Sequence, residues 1–269
     1  MRRESFSTPG PLRLDLRLPS GEIDLQSVEG AETVVELSVT RDSDEAREVI
    51  DNARIEVRQR GDGHEVLVDV QRKRFRFFDF GRGDIVLRVT APHGADLELS
   101  TASADVNGRG RFGELKAELA SGDLELAEVG GRANVKSASG DVRIDGVAGD
   151  ASVHTASGDV RIGRIGGDAV VRSASGDVWV DEAAASITVQ TASGDQRVQS
   201  VESGRVTLQS ASGDQHVGVR RGTRVRIDAK TMSGDASSEL EDGDETAGDG
   251  PAVELRATAM SGDIRIVRA

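Results

Sequence analysis

The chain has 269 residues, enough to bury a substantial core, and it contains no cysteine, which excludes disulfides, zinc–thiolate sites and cysteine nucleophiles. The 34 Lys and Arg residues against 47 Asp and Glu residues give a net charge of −13, so nucleic acid is not an expected partner. No apolar run approaches the roughly 20 residues that a membrane span requires, and the N-terminus shows no signal-peptide core. We therefore expect a cytoplasmic protein, or a cell-envelope protein if an anchor has been removed.

Residues 1–100 are predicted to be β-rich without a regular repeat. Residues 12–18 alternate strictly between apolar and charged side chains, the period of a strand with one buried face. Further strands are predicted at 22–26, 33–39, 54–60, 65–70 and 85–90. One short helix is predicted at 43–52, with Asp42 as its N-cap and Glu45 at N3. Because an open sheet edge invites pairing with another chain, we expect this region to be a cap continuous with the repeat that follows.

A basic and aromatic segment, residues 71–83, stands out inside this region. It holds four of the six Phe residues and five basic residues, with one acid. One interpretation is a plug in which the Phe side chains cover the open end of the fold while the arginines extend to water. The other is a contact site for a protein partner, a second copy of the chain or an anionic surface. The candidate binding residues here are Arg74, Phe75, Arg76, Phe77, Phe78 and Phe80.

From residue 101 onward the chain is organised by a repeat. The triplet Ser-Gly-Asp begins at residues 121, 139, 157, 175, 193, 212, 233 and 261, and a degenerate copy begins at Ser103. The first five steps are all 18 residues, and each period contains two half-repeats of nine with alternating apolar positions and a Gly turn. Such short units cannot bury their own apolar faces, but stacked units can. Residues 101–269 are therefore predicted to form an all-β, parallel β-solenoid with two strands per coil and about nine coils. An acidic loop insertion at 239–250 accounts for the longest step.

The Ser-Gly-Asp corners are interpreted as structural turns. Glycine supplies a positive φ, and the Asp side chain caps backbone donors. The alanine before each triplet is expected to fill a tight corner, with Met232 and Met260 widening the last two coils. The turn residues are Gly122, Asp123, Gly140, Asp141, Gly158, Asp159, Gly176, Asp177, Gly194, Asp195, Gly213, Asp214, Gly234, Asp235, Gly262 and Asp263.

A calcium-binding β-roll is the alternative for these corners, because such rolls also have 18 residues per coil. Their motif, however, needs several glycines in each nine residues, and this chain usually has one. We therefore expect neither a metal nor another cofactor.

One outward column is the second candidate binding site. Counting by coils aligns Glu125, Arg143, Arg161, Trp179, Arg197 and His216, of which Arg143, Arg161, Trp179 and Arg197 are the candidate binding residues. Alternation turns Trp179, the single tryptophan, outward between two inward valines. The column is either a cation–π ladder that stabilises itself or a binding stripe for an anionic or sugar ligand.

Several stretches resemble a known bacterial family. They are FSTPGPL at 6–12, LPSGE at 18–22, the Ser-Gly-Asp array, and AMSGDIRI at 259–266. Together they resemble the β-strand-repeat family of unknown function that carries the label "putative adhesin". The resemblance covers nearly the whole chain and implies a solenoid. It implies no catalytic residues, because none is established for the family.

The function predicted from the sequence is a non-enzymatic β-repeat scaffold or adhesin-like interaction module. No Gly-x-Ser-x-Gly elbow lies between a strand and a helix, and the nearly loop-free, aromatic-poor coils offer little material for a pocket. The expected partner is a protein or a second copy of the chain. A carbohydrate-active or carbohydrate-binding β-solenoid is the first alternative, and the calcium β-roll is the second.

Overall fold

Short strands with alternating buried and exposed residues form most of the structure, a computed structural model that describes residues 1–40, 44–70, 85–240 and 252–269. The chain divides into two compact units, Met1–Gly140 and Asp141–Ala269. In both units parallel strands stack coil upon coil, so the prediction of an all-β, parallel β-solenoid is confirmed.

The N-terminal unit contains ten strands and one helix within the described residues. In chain order these are β1 (Arg2–Ser7), β2 (Leu12–Val28), β3 (Glu32–Val39), α1 (Asp44–Asn52), β4 (Arg54–Arg60), β5 (Gly63–Asp69), β6 (Ile85–Pro92), β7 (Asp96–Phe112), β8 (Leu115–Ser121), β9 (Leu124–Val129) and β10 (Ala133–Ser139). The two strands predicted at 12–18 and 22–26 form one long strand, β2, and β1 was not predicted. The predicted N-cap Asp42 lies outside the described residues. No helix in the described ranges has the length and apolarity of a membrane span.

The long strand β2 is the second layer of the N-terminal unit. On one side its two halves pair in parallel with β5 and β6, and on the other side it pairs in parallel with β7. Ser20 pairs with Ser103, Gly21 with Ala104 and Glu22 with Asp105, so Ser20-Gly21-Glu22 occupies the position of a corner in this layer.

Strands β5 and β6 form the first layer of the N-terminal unit, and antiparallel strands pair with their outer side. Strand β4 pairs with β5, β3 pairs with β6, and β1 pairs with β3. The outer strands β4 and β1 carry many charged side chains, which discourage pairing with another chain. This arrangement supports the cap function of residues 1–100, which stays a prediction.

The C-terminal unit contains thirteen strands within the described residues. They are β11 (Val142–Val147), β12 (Ala151–Ser157), β13 (Val160–Ile165), β14 (Ala169–Ser175), β15 (Val178–Ala183), β16 (Ile187–Ser193), β17 (Gln196–Val201), β18 (Gly204–Ser212), β19 (Gln215–Val219), β20 (Arg224–Ser233), β21 (Ala236–Ser238), β22 (Ala252–Ser261) and β23 (Ile264–Arg268). Odd-numbered strands pair only with odd-numbered ones and even with even, so each coil contributes one strand to an odd face and one to an even face.

The last two coils of this unit do not stack in chain order. Strand β22 pairs with both β18 and β20, and β23 pairs with both β19 and β21, so the C-terminal coil lies between the coil 204–219 and the coil 224–238. Leu255 and Ile266 of the inserted coil are buried, whereas Ile227 in β20 is half-buried and β21 is fully exposed. Because burying one large aliphatic side chain stabilises the fold by about 1.5–3 kcal/mol, the more apolar coil is covered on both sides and the more polar coil forms the end.

The expectation of a tight alanine corner is wrong. The alanines before the triplets are exposed, and Met232 and Met260, which occupy the same position, are 84% and 60% exposed. The strand continues into the corner, so alternation points this residue outward and points the preceding residue inward. Most of the inward residues are Ser or Thr, as with Thr155, whose Oγ1 donates to the carbonyl of Ser157 at 2.9 Å, while Leu119 and Ala259 occupy the same position in two coils. The methionines therefore require no widening of the coils.

Candidate functional site

The Ser-Gly-Asp corners form one continuous edge in each unit. Their glycines have φ between +113° and +134°, a region that other residues rarely adopt. A Cβ on Gly176 would lie 2.2 Å from the carbonyl oxygen of Gly158 in the preceding coil. Glycine is therefore required both by the backbone conformation and by the close approach of stacked corners.

Each corner aspartate holds the next coil through its side chain. The backbone N–H of Asp177 donates to Oδ1 of Asp159 at 2.8 Å, and that of Asp195 donates to Oδ1 of Asp177 at 2.7 Å. The series follows the interleaved order, since Asp263 donates to Asp214 and Asp235 donates to Asp263. This geometry supports the structural-turn interpretation. Among the described residues, no three His, Asp or Glu side chains converge as a metal site would require.

The outward column of the odd face is a straight ladder of basic and aromatic side chains. Parallel pairing brings six residues into one row, which we call the odd-face ladder: Arg143, Arg161, Trp179, Arg197, His216 and Arg265. Strands in a sheet lie about 4.8 Å apart, so the five steps of the ladder span about 24 Å. The first five residues were aligned from the sequence. Arg265 was missed, because the interleaving of β23 beside β19 cannot be read from residue spacing, although Arg265 follows its corner Asp by two residues as Arg143 does.

Within the described residues, the centre of the ladder carries no ion pair. Trp179 is half-buried between the buried Val178 and Val180, so the predicted outward orientation of the indole is confirmed. In the described part of the chain, neither Arg161 nor Arg197 has a carboxylate or hydrogen-bond partner, and the indole N–H has no acceptor. The centre of the ladder therefore presents two uncompensated guanidinium groups, one on each side of an aromatic ring.

The ends of the ladder are neutralised. Arg143 lies 3.5 Å from Asp145, and Arg265 lies 2.6 Å from Glu239. The pKa of His216 is lowered by burial and, in addition, by the charges of Arg197 and Arg265, while Glu239 acts in the opposite direction. His216 is therefore neutral at pH 7, and the positive field that acts on it comes from its two neighbours in the ladder.

The corresponding column of the even face is satisfied internally. Arg172 donates to Oε1 of Gln190 at 2.8 Å, and Gln190 donates to Oε1 of Gln209 at 2.8 Å. This hydrogen-bonded row stabilises the stack and leaves less capacity for a ligand than the odd-face ladder.

A shallow groove of about 820 Å³ lies where strands β18, β20 and β22 begin. Arg205, Arg224 and Arg226 line it together with Glu254, which Arg205 contacts at 3.0 Å. Sequence reasoning missed this groove, because the three arginines meet only through the interleaving of the last coils.

The basic and aromatic segment, residues 71–83, lies outside the described residues. Arg74, Phe75, Arg76, Phe77, Phe78 and Phe80 lie outside the described residues, as do residues 241–250 of the acidic insertion. The two interpretations of residues 71–83 stay predictions.

The repeat, the corners and the two-faced coil agree with one known family. Residues 13–267 match the family described as Toastrack DUF4097. The chain belongs to the Toastrack family. The resemblance identified from the Ser-Gly-Asp array is thereby confirmed. No curated protein is significantly similar to this Toastrack chain.

Several solved structures of low sequence identity are similar to this Toastrack chain. A "putative adhesin" from Parabacteroides distasonis ATCC 8503 is 9% identical, with 98% of this chain and 96% of that chain covered and a TM-score of 0.50. A "putative adhesin" from Bacteroides fragilis NCTC 9343 is 12% identical, with the same coverage and a TM-score of 0.49. A "putative lipid binding protein" from Parabacteroides distasonis ATCC 8503 is 13% identical, with 100% of this chain and 96% of that chain covered and a TM-score of 0.41. At such identities the likeness concerns the fold alone.

Proposed function

We propose that this Toastrack chain is a non-enzymatic interaction module whose binding surface is the odd-face ladder. The observation that carries the proposal is Trp179, which lies half-exposed between Arg161 and Arg197, neither of which has a partner in the described structure. Exposed aromatic and Arg side chains are the residue types that contribute most to binding energy at interfaces. The parallel coils hold these side chains at a regular spacing, which is the task of a scaffold.

The strongly displaced carboxyl groups support a non-enzymatic function. Lys116 and Arg13 lower the pKa of Glu98 to about 2, and Arg54 and Arg58 lower the pKa of Glu56 to about 2. These groups are fully ionised at neutral pH and are occupied by ion pairs, so they are poor general acids and poor general bases. Glu98 links β7 to β2 through Arg13 and to β8 through Lys116, whereas Glu56 pairs with Arg54 and Arg58 within its own strand, β4.

The proposal is tested with an immobilised panel of acidic glycans, neutral glycans, acidic polypeptides and anionic vesicles. The wild type is compared with Trp179→Ala and with the double variant Arg161→Gln/Arg197→Gln. Arg172→Gln, which removes one positive charge from the even face, is the control. We expect at least one class to bind the wild type and the control equally and the ladder variants ~10-fold more weakly. The proposal would be overturned if the ladder variants bound every ligand as tightly as the wild type, or if a bound ligand were chemically converted.

The composition of residues 71–83 supports a second interaction, which is self-association. Sedimentation velocity on the chain with Phe75, Phe77, Phe78 and Phe80 replaced by Ser tests it. Loss of a dimer with an unchanged melting temperature would support a contact site. Destabilisation with unchanged association would support the plug and remove this second proposal.

A further inference from the structure

We infer that the odd-face ladder binds a linear acidic polysaccharide, with one sugar ring stacked on Trp179 and acidic groups of the polymer paired with Arg161 and Arg197. This inference rests on the proposed function, since it names the ligand class of the same surface. Three properties of the surface lead to it, which are its shape, its unpartnered donors and the column of carboxylates beside it.

The shape of the ladder fits an extended polymer. Its six side chains stand in one straight row across six strands, at steps of about 4.8 Å and over about 24 Å. A small molecule would contact one or two of these rungs and leave the rest in water. A polymer that runs across the coils meets a new rung at each step, so weak contacts add along its length.

The unpartnered groups at the centre match acidic sugars. The indole offers an apolar face and a free N–H donor, a combination that suits the C–H face of a sugar ring and a neighbouring hydroxyl oxygen. The guanidinium groups of Arg161 and Arg197 are planar forks that pair with carboxylate or sulfate groups in two parallel hydrogen bonds. Burial lowers the pKa of His216 most, and the charges of Arg197 and Arg265 lower it further.

The corner aspartates select against ligands that are only anionic. Each ladder residue follows a corner aspartate by two positions, so a column of carboxylates runs parallel to the odd-face ladder. In Asp159 and Asp177, Oδ1 already accepts a backbone N–H, and Oδ2 has no such partner in the described structure. A sugar hydroxyl can donate to this second oxygen, whereas a polymer without hydroxyl donors meets only like charge. The ligand must therefore carry both hydroxyl groups and acidic groups, as an acidic polysaccharide does.

The test measures binding of the full chain to four polymers at fixed, moderate salt. They are polygalacturonate, neutral dextran, single-stranded DNA and poly-L-glutamate, with Trp179 fluorescence and calorimetry as the readouts. We expect polygalacturonate to bind most tightly and each of the other three to bind ~10-fold more weakly or not at all. Binding should weaken as salt rises, because its ionic contacts are exposed.

Variants of the ladder locate the site. Trp179→Ala should weaken polygalacturonate binding ~10-fold, Trp179→Phe should restore part of it, and Arg161→Gln or Arg197→Gln should each weaken it ~3-fold. The control Arg172→Gln should change it less than ~2-fold. All of these side chains point outward, so unchanged melting temperatures verify that the variants are folded.

The outcomes separate this inference from the proposed function. If DNA or poly-L-glutamate binds more tightly than polygalacturonate and the binding depends on the ladder, the interaction module stands and the polysaccharide inference is wrong. If dextran binds as tightly as polygalacturonate, the pairing with Arg161 and Arg197 is wrong. If no polymer shows ladder-dependent binding here and no ligand does in the wider panel, both proposals fall.

Discussion

The two units of the molecule have similar interiors and different surfaces. In the column two residues beyond each corner, the N-terminal unit aligns Arg88, Asp24, Asn107 and Glu125, whereas the C-terminal unit aligns the odd-face ladder. In the first unit Arg88 pairs with Asp24 at 3.3 Å, and Glu98 is held by both Arg13 and Lys116. In the second unit the centre of the ladder has no such partners in the described structure.

This difference shows which positions of a coil are constrained. Inward positions repeat aliphatic and small residues in both units, because each must fill the same narrow core. Outward positions are not required for packing, so their charges can be paired for stability in one unit and left available for a ligand in the other. Both units also place a strand from near one end of the chain second in the stack, β2 in one and β22 in the other.

The largest expected effect tests the interiors of the two units. Leu14→Ala in β2 and Leu255→Ala in β22 should each lower the free energy of unfolding by about 2–5 kcal/mol, because both side chains are buried between two layers. Ile227→Ala, one layer outward from Leu255, should cost less than half as much, since Ile227 is half-buried. Urea denaturation measures all three. Equal losses for Leu255 and Ile227 would contradict the interleaved order.

The next effect tests the corners. Gly176→Ala forces φ +127° on a residue with a Cβ and adds a contact of 2.2 Å, so we expect a loss of about 1–3 kcal/mol from the conformation alone, increased by the clash. Gly222→Ala is the control, since Gly222 has φ +81° but no atom within 4 Å of the added Cβ. Asp177→Asn keeps an oxygen acceptor and should cost less than about 1 kcal/mol. Thermal melts in which Asp177→Asn lowers the melting temperature more than Gly176→Ala does would refute the proposed corner geometry.

A smaller effect should distinguish a partly buried ion-pair network of the N-terminal unit from an exposed ion pair of the C-terminal unit. The folded pKa of Glu98, about 2, lies below its ordinary value of 4.5, so this carboxylate stabilises the fold above pH 4.5 and loses that contribution as the pH falls towards 2. Glu98→Gln should remove about 1 kcal/mol of this acid-dependent stability, a figure that allows for solvent screening. Glu254→Gln in the C-terminal unit should change the free energy of unfolding at pH 7 very little, because the Arg205–Glu254 pair is exposed. Denaturation midpoints between pH 2 and pH 7 compare the two variants.

The smallest expected effect concerns the electrostatic influence of the ladder arginines on the pKa of His216. Burial lowers the pKa of His216 most, and Arg197 and Arg265 lower it further, so Arg197→Gln should raise this pKa and Glu239→Gln should lower it. Because the folded pKa lies below the unfolded one, the contribution of neutral His216 is complete above pH 6.5 and is lost as the pH falls. An NMR titration of the imidazole gives both shifts. An unchanged pKa in Arg197→Gln would show that the ladder does not act as a unit.

The sequence by itself determined the solenoid and most of the ladder. Equal steps of 18 residues place equivalent residues on adjacent strands, so Arg143, Arg161, Trp179 and Arg197 align once the coils stack in parallel. Alternation likewise predicted the outward indole. These properties are local or periodic, and they follow from spacing and side-chain period alone.

Only the tertiary structure decided the order of the end coils and what that order brings together. The spacing of the triplets places the coil 224–238 before the C-terminal coil, yet the C-terminal coil lies inside it and adds Arg265 to the ladder. Either the coil 224–238 or the C-terminal coil must lie at the end of the stack, with one side exposed to water. The coil whose exposure costs less free energy takes that place, and the local sequence pattern does not reveal this difference. For the same reason the exposure of Met232 and Met260 became visible only once the inward residue of each corner was known.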